Sequence, residues 1–204
     1  MEVSTPARRM PPAKRREQLI EVALAIAARE GYDNLAFEKV ANHAGVTRNL
    51  VYHYFPGGRQ ELLEAAVHRA GDQLSSGWVT DPDVPLGQRL EANLNRMMDH
   101  ASEPTDAWQL YRQGRGSVDP TLLEIARGYR ERVIGNIALN QLGTAKPPPI
   151  VRIALDGFLS YVETVIESAL AEDMSREQII ELVSGTLMSA MNAAAGASAP
   201  GPKR

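Results

Sequence analysis

The chain of 204 residues contains no cysteine. That excludes a disulfide framework, a thiol nucleophile and a thiolate zinc site at once. Aromatic residues are scarce, at 5%, so a run such as Tyr52-His53-Tyr54-Phe55 stands out. No segment approaches the roughly 18 uninterrupted apolar residues of a membrane helix. Glu17, Glu21, Arg29 and Glu30 interrupt any apolar region that would make a secretion signal of the basic N-terminus. The expected location is the cytoplasm. There is no HExxH and no Gly-rich phosphate loop followed by Lys. Gly57-Gly58 reads as a helix break. The four histidines, His43, His53, His68 and His100, form no compact ligand set with nearby carboxylates. The expectation is no metal, no cofactor and no enzyme.

What is present is ordinary for a globular protein: 44% hydrophobic and 23% charged residues. The formal charge of -3 hides an asymmetry. Residues 1–70 carry ten Lys or Arg against eight Asp or Glu, and the remainder twelve against seventeen. A chain that meets DNA with one end needs such local positive charge.

The apolar pattern is helical throughout, with no strand-like alternation. A basic, disordered arm is expected over 1–11, including Arg8 and Arg9. A first helix begins near Pro12, with Leu19, Val22, Ala23, Ile26 and Ala27 on one stripe, and Gly31 ends it. Further helices are expected over Phe37–Ala44, Arg48–Phe55 and from Arg59 onward. Gly77–Gly87 reads as a loop, which places a domain boundary near 70–80. Beyond it, helices are expected near Leu86–Ser102, Asp106–Arg112, Pro120–Leu142, Pro149–Asp173 and Arg176–Ala194. Asp119-Pro120 offers an N-cap with proline at the first helical position. Ser175-Arg-Glu-Gln178 has the capping-box pattern. Residues 195–204 read as a disordered tail. The fold class is therefore all-α with about nine helices, divided into an N-terminal unit over 12–70 and a C-terminal unit over 71–194.

Val40–Phe55 is the most informative stretch. Gly45 suits the left-handed C-cap of one helix, and Thr47 suits the N-cap of the next. That second helix carries Arg48, Asn49, Tyr52, His53 and Tyr54. Two short helices, a tight turn and side chains that read bases or hold phosphates make a helix-turn-helix.

The residues around it also resemble the TetR (tetracycline-repressor-like) family of bacterial transcription regulators. The matching residues are Gly31-Tyr32, Val40-Ala41, Ala44-Gly45-Val46-Thr47, Leu50 to Phe55 and Leu62-Leu63, within about 14–67. Two departures are visible. Leu35-Ala36 stands where the family usually has Ser or Thr, so the second helix lacks its cap. Pro56-Gly57-Gly58-Arg59 is one residue longer than the usual Ser-Lys-Glu. The resemblance implies a DNA-binding homodimer, most often a repressor.

On a helix that starts at Thr47, Val51 and Phe55 point inward and Val46 closes the turn over them. Arg48 can bond guanine and Asn49 adenine. Leu50 would suit a thymine methyl, and His53 can reach a base or a phosphate. Thr47, Tyr52 and Tyr54 are phosphate candidates through their hydroxyls. Arg59, Lys14 and Arg15 join them by charge.

The last two helices are apolar on more than one side. Phe158, Val162, Val165 and Ile166 on one, and Val183, Leu187 and Met191 on the other, cannot all lie on one narrow stripe. A partner chain is expected to cover them, which agrees with the four-helix homodimer that the resemblance implies; an intramolecular core is the alternative. Met97, Met98, Trp108, Tyr111, Tyr129, Phe158 and Tyr161, with Trp78, are candidates to line a small-molecule cavity. Arg112, Arg115 and Arg127 are candidates to attract an anionic ligand; a solvated face accounts for them equally well. The leading reading is a regulator of transcription that a small-molecule effector releases from a double-stranded operator. Its rivals are a DNA-binding dimer without small-molecule effector, acting through a protein partner, and an all-helical enzyme or interaction module.

Overall fold

Helix ends are written locally in this chain, and the structure, a computed structural model describing residues 10–198, places them close to where the sequence does. Nine α-helices are described. They are α1 (Pro12–Glu30), α2 (Phe37–Ala44), α3 (Arg48–Tyr54), α4 (Gly58–Ser75), α5 (Leu86–Ser102), α6 (Asp106–Arg115), α7 (Pro120–Leu142), α8 (Pro149–Ala171) and α9 (Arg176–Ser198). The expected arm and tail fall largely outside the described residues. Residues 195–198, expected in the tail, instead continue α9; none of the four is a proline.

The caps explain the boundaries. Gly45 ends α2 in the left-handed region, with φ 65° and ψ 38°, a conformation that costs a side chain-bearing residue about 1 kcal/mol. The Thr47 hydroxyl accepts from the Leu50 amide at 3.3 Å. Asp119 accepts from Leu122 at 3.3 Å. Ser175 and Gln178 close the capping box reciprocally, at 3.1 and 3.3 Å. Ala36 offers α2 no side-chain cap. The carbonyls just before it are held from another element, by Arg59 of α4. Its Nε donates to Leu35 at 2.9 Å and its Nη2 to Tyr32 at 2.5 Å.

Packing makes α4 common to both halves. It lies against α1 on one side and against α6 and α7 on the other, and α6 also packs on α1. The range expected for a boundary, 70–80, takes in the last turn of α4 and the start of the loop that leads to α5. The N-terminal core gathers Leu19, Ala23, Val40, Val51, Phe55 and Leu62, each fully buried.

The last two helices require a correction. α8 and α9 pack on each other, α5 lies against both, and α7 lies against α8. Phe158, Val162, Ile166, Val183 and Leu187, expected at a dimer interface, are buried inside the protomer. Val165 and Met191 are half-buried and pack against the same core. Periodicity reveals that a face is buried, but not which helix buries it. The apolar surface left over lies elsewhere on the same pair: Ile153 is 59% exposed, Leu182 48% and Met188 53%. α9 is long and apolar enough, over Arg176–Gly196, to cross a membrane by length and composition alone, yet only 22% of that window is buried.

Candidate nucleic-acid interface

Val51 and Phe55, four residues apart on and just after α3, are both fully buried. Anchoring that side turns the opposite side of the helix outward. Thr47, Arg48, Asn49, Tyr52 and His53 are all exposed, and Leu50 is half-exposed beside them. All six are therefore open to solvent around the side of α3 opposite the buried Val51 and Phe55. Val46 packs under the turn.

Tyr54 behaves differently. It is half-buried against the core, with its ring edge-on to His53 at 5.4 Å. Two donors of Arg59 are spent on the carbonyls ahead of α2, so this exposed side chain ties α4 to that segment. Lys14 is exposed at the start of α1. Arg15 donates to Gln18 at 2.6 Å, and Gln18 reaches the Ala44 carbonyl at the end of α2. The N-terminal turn of α1 is thereby fixed beside the helix-turn-helix.

One further residue belongs to this surface. Glu38, in the first turn of α2, places Oε1 2.8 Å from Nη1 of Arg48. Nothing in its spacing from Arg48, ten residues on, announces the contact. The turn between α2 and α3 creates it.

In the C-terminal half, the seven residues expected to line one cavity are dispersed. A cavity of about 450 Å³ lies between α4, α6 and α7. Tyr111 and Tyr129 line it, with Val67, Leu74, Leu110 and Leu122. Met97 and Phe158 line a separate void of about 30 Å³ with Trp78. Met98 and Trp108 are buried in the core, and Tyr161 sits against Thr186 at 3.2 Å. All seven lie on helices that pack inward. Which of them border empty space depends on how the helices cross, and that is a non-local matter.

Beside the larger cavity sits a buried acid that the sequence did not flag. Glu163 of α8 is 2% exposed. It accepts from Tyr111 of α6 at 2.5 Å, Arg130 of α7 at 2.9 Å and Arg115 of α6 at 2.7 Å. Arg130 also bonds Asp156 and Ser160. Burial, and then the Glu163 charge, push the Tyr111 hydroxyl far above the ordinary tyrosine range. Burial works against the Arg130 charge, but Asp156 and Glu163 outweigh it and raise its pKa. Arg115 is thus engaged inside the protein, and Arg112 lies 3.4 Å from Glu167. Neither stands free for an anion as expected. The Tyr129 ring meets Tyr111 edge-on at 4.6 Å.

Comparison with known proteins gives a consistent pattern. The profile of the family described as bacterial regulatory proteins, tetR family, matches residues 19–66. An uncharacterized HTH-type transcriptional regulator of Mycobacterium tuberculosis is 38% identical over 61 residues, which is 30% of this chain and 31% of that protein. The HTH-type regulator BetI 2 of Chromohalobacter salexigens is 31% identical over 90 residues, 40% of this chain and 43% of that protein. The chain thus spans less than half the length of these curated relatives. The crystal structure of a tetR-family regulator from Streptomyces coelicolor superposes with TM-score 0.71 at 29% identity, covering 93% of this chain and 85% of that one. The multidrug binding protein EbrR, solved with proflavin, superposes with TM-score 0.57 at 17% identity over 84% of this chain and 99% of that one. This last likeness speaks for the fold alone.

Proposed function

Because the chain belongs to the tetR family of bacterial regulatory proteins, we propose that it is a homodimeric repressor. It reads a double-stranded operator in the cytoplasm through α3 and leaves it when a small molecule binds. The observation that carries the reading is the outward surface of α3. Arg48, Asn49, Tyr52 and His53 stand exposed on a helix whose other side is locked by Val51 and Phe55. A rigid helix offering Arg and Asn suits the major groove, where those side chains discriminate guanine and adenine.

Apolar exposure supports dimerisation. Ile153, Leu182 and Met188 are each about half-exposed on α8 and α9, and the exposed Gly157 and Gly185 permit close approach. Two copies related by a twofold axis would bury this face and fix the separation of two copies of α3. The cavity between α4, α6 and α7 supports an effector site. Its volume is in the range of small-molecule pockets. α4 forms one wall of it and packs on α1 at the same time, so a ligand there bears on the DNA-binding half.

The test is titration against fragments of the upstream region of its own gene and against random duplex of equal length, at two salt concentrations. Upstream DNA should bind at least tenfold more tightly, with affinity falling steeply as salt rises. Equal affinity for both duplexes would overturn the reading.

A further inference from the structure

Arg48 is held on the surface of α3 from two sides. Nη1 meets the Glu38 carboxylate at 2.8 Å. Nη2 donates to the Tyr52 hydroxyl at 2.9 Å, and Cζ lies 5.2 Å from the centroid of the Tyr52 ring. That ring is braced in turn. It meets Phe37 edge-on at 4.5 Å and 64°, and Phe37 is buried. Phe37 and Glu38 are adjacent in the first turn of α2. One turn of α2 therefore supplies both the carboxylate and the foundation of the aromatic shelf.

A carboxylate in this place opposes DNA affinity, since it repels phosphates. Resting on the reading of α3 as the recognition helix, we propose that Glu38 is a positioning residue for Arg48. It raises the base selectivity of Arg48 and lowers the affinity for DNA of any sequence.

Selectivity depends on where an arginine goes when the wrong base is in front of it. A long, unrestrained arginine swings to a phosphate, and that contact carries no sequence information. To do so here, Arg48 must break an ion pair and leave the Tyr52 ring. The guanidinium has five N–H donors. Glu38 and Tyr52 engage two, so three remain for the O6 and N7 acceptors of a guanine. A fork already oriented in the free protein also gives up little freedom on binding. Arg48 and Glu38 are 53% and 55% exposed, which keeps the pair weak in water. Exclusion of water by docked DNA strengthens it.

The experiment measures affinity for the operator, for operators with each base pair changed, and for random duplex, at two salt concentrations. It uses wild type, Glu38→Ala, Glu38→Gln, Arg48→Ala and the Arg48→Ala/Glu38→Ala double variant. In Glu38→Ala, preference at the single position lost in Arg48→Ala should fall about two- to fivefold. Affinity for random duplex should rise about threefold, the effect of removing one charge about 7 Å from a phosphate in water. The salt slope should steepen by up to about one unit. Glu38→Gln, which loses the charge but keeps an acceptor, should fall between. In the Arg48→Ala background, loss of Glu38 should raise random-duplex affinity and alter no base preference. A Glu38→Ala profile equal to wild type overturns the proposal. So does a sharper one, because Glu38 would then merely compete with DNA for Arg48. Equal flattening at every position overturns it too, since that marks a lesion in the fold. Wild type that fails to distinguish operator from random duplex is a different result: it removes the recognition-helix reading itself.

Discussion

Removing the Glu163 carboxylate is the perturbation whose size the structure defines best. Three donors from two helices converge on it, namely Tyr111, Arg115 and Arg130, and it is 2% exposed. Glu163→Ala leaves all three without their acceptor and opens a small void. Breaking a buried ion pair by deleting one member costs about 3–5 kcal/mol. Here the low end applies. Arg130 keeps Asp156 and Ser160, and the Arg115 side chain is 32% exposed, so it can turn to water. A loss of about 3 kcal/mol in a chain of this length lowers Tm by about 6–12 °C. Tyr111→Phe removes one hydrogen bond and should cost about 1–1.5 kcal/mol. The double variant should lose less than the two singles together, because both delete the same contact. Thermal melting followed by far-ultraviolet circular dichroism at fixed protein concentration is the assay; the concentration is fixed because dimerisation would itself shift Tm. A Glu163→Ala protein that melts within about 2 °C of wild type would refute the claim that this cluster ties α6, α7 and α8 together.

The remaining expectations concern assembly, capping and pH. Ile153→Glu with Leu182→Glu charges the exposed face of α8 and α9 and should give a folded monomer in light scattering with weakened operator binding, whereas Val162→Glu buries a charge in the protomer core and should unfold it; a folded Val162→Glu protein would contradict the placement of that residue. Gly45→Ala should destabilise by about 1 kcal/mol because its φ of 65° disfavours a Cβ, and Thr47→Ala by a similar amount through loss of the cap to Leu50; urea titrations in which both equal wild type would reject the turn geometry. His100 stacks on Trp108 at 6.5 Å, and burial first, then Arg96, hold its pKa below the ordinary value. The fold therefore prefers the neutral ring. That contribution is complete above about pH 6.5 and is lost as the pH falls below it, so His100→Gln should flatten the decline of Tm between about pH 6.5 and 5, and superimposable curves would count against it.

The sequence by itself determined the helix ends and the outward side of α3. Gly45, Thr47, Asp119 and the Ser175–Gln178 pair mark helix ends because caps act within about four residues, and the chain carries those residues at the right offsets. The register of Val51 and Phe55 predicted the outward side of α3 for the same reason, since side-chain direction along a helix is a matter of counting. Only the tertiary structure decided what covers each buried face. Val162 and Leu187 read as surface for a partner, yet both are buried within the protomer, where α5 lies against α8 and α9 and α7 against α8. Glu163 lies 52 residues from Tyr111 and 33 from Arg130, and no local pattern links them. Glu38 and Arg48 meet because a left-handed glycine folds α3 back across α2. Contacts of that kind depend on how helices cross, and the crossing is set by the whole core at once.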